Sequence, residues 1–144
     1  MPRANRTFSW KGDVYLGRFL EVRLTVINPR DDTVAIESAT VQWPREATIT
    51  AGQFRRAPML YLDRSPGAYT ERQVSLGWTV PRAERVERTL YVFPPKSWDG
   101  GWLLIILKAS GSGPLPMILG RRIVVAGRLP PCPADAIHDA TVTG

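Results

Sequence analysis

The sequence predicts an all-β chain: a two-sheet antiparallel β-sandwich, immunoglobulin-like or jelly-roll, of about seven to eight strands with extended termini. Three observations lead there. Apolar residues alternate with period two in several segments, turn residues interrupt those segments about every ten residues, and no stretch carries an apolar helical stripe three turns long. Thirteen Pro and twelve Gly in 144 residues supply the turns that many short strands require.

Residues 7–10 read as a short first strand before the Lys11-Gly12-Asp13 turn. The clearest strand follows over residues 18–27. There Leu20, Val22, Leu24 and Val26 share one face, and Glu21, Arg23 and Thr25 share the other. That alternation marks a strand buried on one side. Asn28-Pro29-Arg30-Asp31-Asp32 then breaks it with turn residues. Residues 33–43 form a second long strand with an irregularity. Val34 and Ile36 share one parity, while Val41 and Trp43 share the opposite one. Both pairs keep to one face only if a residue is inserted, so a β-bulge is expected near Ser38-Ala39, or a passage from one sheet to the other.

Residues 47–50 and 59–62 read as short strands on either side of a turn at Ala51-Gly52. A helix within residues 46–57 is the competing reading, opposed by Gly52 and by Thr48-Ile49-Thr50. After the Ser65-Pro66-Gly67 turn, Val74, Leu76, Trp78 and Val80 make a half-buried strand that ends at Pro81. Residues 82–88 are expected as a charged connector with at most one helical turn, and residues 89–93 as a strand closed by Pro94-Pro95. Residues 102–109 are almost continuously apolar, the pattern of a central strand covered on both faces. A loop at 111–116 and a last strand at 119–126 complete the pass.

The length suits one domain with a real core. The expected division is a basic N-terminal extension over 1–6, a sandwich over 7–127 and a Pro-rich extended arm over 128–144. The formal net charge is +6, and sixteen of the nineteen basic residues are Arg. Arginine pairs bidentately with phosphate and carboxylate, so nucleic acid and acidic proteins are both chemical fits. The charges are scattered, however. Arg55-Arg56 and Arg121-Arg122 are the densest pairs, well short of a nucleic-acid-binding tail. On a strand, either Arg121 shares a face with Ile123 and Val125, or Arg122 shares one with Val124. Burying an unpaired guanidinium is costly, so this strand start is expected at a rim or edge, or under an acidic partner.

Catalytic and metal-binding motifs are scarce. One His, His138, and one Cys, Cys132, both lie in the Pro-rich tail, too few for a zinc site and poorly held for a nucleophile–base pair. A single cysteine makes no intramolecular disulfide. Asp31-Asp32 is too short for a calcium loop. Glu21 and Glu37 fall at outward strand parity, which reads as solvated surface rather than a hydrolytic carboxylate pair. No enzyme activity and no cofactor are expected.

Five tryptophans are many for this length. Trp43 and Trp78 follow the apolar parity of their strands and are expected in the core. Trp98, in the turn Ser97-Trp98-Asp99-Gly100-Gly101, is either an exposed anchor for a partner, sugar or base, or a plug folded back over one end of the sandwich. Pro130, Pro131 and Pro133 hold the tail extended. With Ile137 they are expected to reach a neighbour.

The basic start has no apolar stretch behind it, and the longest apolar run is too short to span a bilayer. The expectation is a product made in the cytoplasm without a signal peptide. Together these features suggest a non-enzymatic assembly subunit that binds copies of itself or other subunits of a particle, such as a capsid-decorating, neck or tail protein of a virion. The alternatives are a basic nucleic-acid-binding module and a carbohydrate-binding domain.

Overall fold

The computed structural model describes residues 3–13, 17–51, 72–111, 121–132 and 141–143. All of its regular elements are strands: β1 (Arg3–Asp13), β2 (Gly17–Ile27), β3 (Val34–Trp43), β4 (Thr48–Ala51), β5 (Gln73–Val80), β6 (Arg85–Phe93), β7 (Gly101–Gly111), β8 (Arg121–Leu129) and β9 (Thr141–Thr143). They form two antiparallel sheets, one ordered β4-β6-β2-β1-β9 and the other β5-β3-β7-β8. The two-sheet sandwich expected from the alternation is the fold. Among the described residues no helix is long and apolar enough to cross a membrane.

The alternation of β2 sets the register of the first sheet. Leu20, Val22, Leu24 and Val26 all point into the core, and β1 and β6 lie on either side with matched register. Phe8 and Trp10 of β1 and Leu90 and Val92 of β6 therefore share the inner face with them. From the second sheet come Val34, Ile36, Ala39 and Val41 of β3, Leu103, Ile105 and Leu107 of β7, and Val125 of β8. Each fully buried Leu, Ile, Val or Phe among them contributes about 1.5–3 kcal/mol. Leu76 and Trp78, expected in the core, are partly buried against its margin on β5, an edge strand.

Two element boundaries need correction. The first strand starts at Arg3, not Thr7, because Arg3, Ala4, Asn5 and Arg6 continue the β1–β2 ladder opposite Ile27, Val26, Thr25 and Leu24. Residues 85–88 are strand rather than connector. They pair with Ile27, Val26, Thr25 and Leu24 on the other side of β2, and Val86 keeps the inward parity. The strand expected at 47–50 is present as β4, one residue later and paired with β6, so residues 48–51 are not helical. The expected strand at 59–62 and the turn at 65–67 lie outside the described residues.

The bulge anticipated in β3 is present one or two residues early, where the register shifts between Ile36 and Ser38 against both neighbours. It turns Ala39 and Val41 inward alongside Val34 and Ile36. A second shift between Val41 and Trp43 then reverses the parity again. Trp43, expected in the core, therefore faces outward and is 44% exposed.

The described residues of the C-terminal segment lie on their own sandwich. The indole N–H of Trp10 donates to the Pro130 carbonyl (3.1 Å), and the Cys132 amide donates to Oδ1 of Asp99 (3.1 Å). Gly100, at φ +91°, lies so close beneath this crossing that a Cβ there would meet Pro130 C at 2.8 Å. β9 then pairs with Thr7, Phe8 and Ser9 of β1. The described parts of the arm expected to reach a neighbour thus contact their own domain, residues 130–132 beside Trp10 and Asp99 and β9 on β1.

Candidate interaction surface

The two outer faces of the sandwich differ. On the five-stranded sheet the register lines up Asn5, Thr25 and Glu87 in one row and Thr7, Arg23 and Thr89 in the next. These border a polar groove of about 790 Å³, in which Nε of Arg23 donates to Oε1 of Glu21 (2.6 Å). Phe19 and Phe93 at one end stack on each other, with centroids 5.6 Å apart, and Phe19 is buried. Such a face is what water-exposed sandwich strands require.

On the outer face of the four-stranded sheet, β5 presents Gln73, Ser75 and Thr79, but the part formed by β7, β8 and the end of β3 is largely apolar. β7 carries large apolar residues on both parities. Leu103, Ile105 and Leu107 fill the core, while Trp102, Leu104 and Ile106 point outward. The run at 102–109 was expected to be covered on both faces. β7 is indeed an inner strand of its sheet, but Trp102 is 56% exposed and Leu104 and Ile106 are half-buried. No second layer packs there among the described residues. Trp43 sits opposite Leu104, and Leu104 opposite Ala126. In the next row Ile106 lies opposite Val124, which is 54% exposed.

Cations frame this surface. Lys108 and Arg122 face each other at one end of the β7–β8 ladder, and Arg128 stands opposite Trp102 at the other. Arg45 lies with its guanidinium 5.0 Å from the centre of the Trp43 ring, held there by cation–π attraction. Arg72 donates from Nη2 to the Val41 carbonyl (3.1 Å) and, more weakly, to that of Gln42 (3.4 Å). Glu37 is the acid near them, 3.7 Å from Nζ of Lys108 and accepting from the Ser110 hydroxyl. Between Trp43 and Trp102 runs a groove of about 720 Å³, with Leu104 and Ala126 in its lining and Arg45 and Arg72 beside them.

The adjoining sheet edge is less open to a partner than the face. Nε of Arg6, on β1, donates to the Ala126 carbonyl of edge strand β8 across 2.6 Å. A charged side chain spent on an edge carbonyl is a common protection against strand addition.

The residues proposed from sequence are distributed unevenly over this geometry. Arg122 belongs to the apolar face as one of its bordering cations. Arg121 pairs with Ala109, but its side chain lies outside the described residues. Trp98 is the plug rather than the exposed anchor. It is partly buried against the core, 5.5 Å from the Trp10 ring centre and tilted by 40°. Pro130 is engaged by Trp10, and Pro131 follows it, exposed, along the C-terminal segment. Arg55, Arg56 and Ile137 lie outside the described residues. Glu21 and Glu37 sit on opposite outer faces and form no carboxylate pair. Among the described residues no group of three His, Cys, Asp or Glu side chains could hold a metal ion.

Trp43, Trp102, Val124, Arg45 and Arg72 escaped the sequence reading. One signal was available. β7 is apolar on both parities, whereas its neighbour β8 carries Arg122 and Arg128 on the parity of Val124. A strand covered on both faces has no room for that arrangement beside it.

Compared with known proteins, the sequence matches no family model, and no curated protein is significantly similar to it.

Proposed function

We propose that this chain is a non-enzymatic assembly subunit that docks, through the outer face of its four-stranded sheet, on an acidic surface of another protein subunit. The observation that carries this reading is the contrast between the two outer faces of one sandwich. The five-stranded sheet meets water with Thr, Asn and paired charges, while the four-stranded sheet offers Trp43, Trp102 and Val124. Large exposed apolar patches on a small domain mark interaction sites, and Trp with Arg is the composition of binding hot spots.

The sign of the charge favours a different chain over a second copy. A two-fold contact would set Arg122, Arg128 and Lys108 against an identical basic rim on a molecule of net charge +6. An acidic partner meets the same rim with attraction and gains in association rate.

The strand order favours the immunoglobulin-like alternative over the jelly roll. β1, β2, β6 and β4 lie in the order A-B-E-D, and β3, β7 and β8 in the order C-F-G, with β5 added beside β3. Fold by itself does not assign the role, so the reading stands on the face.

The test is selection from a display library of random peptides, run against the intact chain and against Trp102→Ser/Val124→Ser. Sequences retained by the intact chain and lost with the variant are expected to combine Asp or Glu with large apolar residues. Selection of sequences without acids, equal retention by the variant, or a preference for duplex DNA over all peptides would overturn the reading.

A further inference from the structure

The groove between Trp43 and Trp102 is more specific than the face around it. Two indoles on adjacent strands line it, together with Leu104, Ala126 and the side chains of Arg45 and Arg72. Both guanidiniums make contacts of their own beside the groove. Arg45 lies over the Trp43 ring, and Arg72 donates to the carbonyls of Val41 and, more weakly, Gln42 at the end of β3. Among the described residues neither forms an ion pair. The contacts that hold them are neutral, a ring face and two carbonyls, so both keep their full charge and further N–H donors.

Resting on the interface reading above, we infer that this groove is the anchor pocket for a partner segment in which a large apolar side chain is flanked by carboxylates. The apolar side chain enters between the indoles and removes their exposed surface, together with that of Leu104, from water. The flanking carboxylates pair with Arg45 and Arg72. Planar guanidiniums match carboxylates through two parallel hydrogen bonds, and their position beside the indoles sets where those carboxylates must lie. A purely anionic ligand would leave the indoles and Leu104 wet, and a purely apolar one would leave two guanidiniums partly desolvated without a partner. The pocket calls for both chemistries in one short segment.

The experiment uses the full ¹⁵N-labelled chain and two capped tripeptides, acetyl-Glu-Leu-Glu-amide and acetyl-Gln-Leu-Gln-amide. The indole N–H signals report by position, since Trp43 and Trp102 line the groove and Trp10 is buried elsewhere. The acidic peptide is expected to move the Trp43 and Trp102 signals and leave that of Trp10 in place. It should bind about five- to tenfold more tightly than the neutral peptide at low salt. That advantage should vanish in Arg45→Gln/Arg72→Gln and shrink as salt is raised. Equal binding of the two peptides at Trp102 would overturn the carboxylate pocket while leaving the apolar interface standing. Shifts confined to Trp10 and Trp98, or no shift with either peptide, would overturn the pocket outright.

Discussion

Trp10 donates its indole N–H to the carbonyl of Pro130, and this bond ties the start of the C-terminal strap to the first strand of the opposite sheet. Trp98 stacks beside the same indole, and Gly100 passes beneath the crossing where no side chain fits. The strap therefore belongs to the stability of the domain. Removing residues 130–144 leaves a buried indole donor without its acceptor and takes β9 off β1. We expect the truncated chain to unfold at lower urea concentration, with a loss of at least about 1–3 kcal/mol. An unchanged midpoint would show the strap to be passive.

Gly127 lies on the inner face of β8 against Phe8, and a Cβ at that position would collide with the Phe8 ring. Gly127→Ala should cost about 1–3 kcal/mol through overpacking. The same change in a Phe8→Leu background should cost clearly less, because the smaller side chain gives way. A double-mutant cycle by chemical denaturation measures the coupling. Additive losses would mean that the two residues do not compete for the same space.

Asn28 is the buried clasp of one loop end. Its Nδ2 donates to the Asp32 carbonyl (2.7 Å) and lies 3.2 Å from those of Val80 and Pro81, while its Oδ1 accepts from the Arg30 amide. Asn28→Ala removes the donor and leaves those groups to find other partners in a buried site. A loss of about 2–3 kcal/mol is expected, with Asn28→Ser recovering only part of it. A loss under about 0.5 kcal/mol would place the site on ordinary surface.

Much of the fold was legible because its driving pattern is local. β2 carries four apolar residues at strict alternation, and its partners fall into register around them. The break in parity between Ile36 and Val41 announced a bulge for the same reason. Trp43 was misread because a second bulge, between Val41 and Trp43, undid the inference drawn from the first. A strand's parity is only as good as the count of its irregularities. The site was missed for a related reason. A run with apolar residues on both parities looks the same whether a second layer covers it or a partner does, and β7 belongs to a two-layer fold. The strap, too, depends on contacts as distant in sequence as Trp10 with Pro130, which no local pattern encodes.

The most direct measurement of the central claim is calorimetric binding of one selected acidic peptide to the intact chain and to Trp102→Ser/Val124→Ser, with both proteins first unfolded in urea to compare their stability. Trp102 and Val124 are more than half exposed, so the account expects the two midpoints to agree within about 0.5 kcal/mol while binding is lost at least tenfold. Undiminished binding by an equally stable variant would contradict it. So would a variant that loses more than about 1.5 kcal/mol, because those side chains would then be serving the domain's own fold rather than a partner.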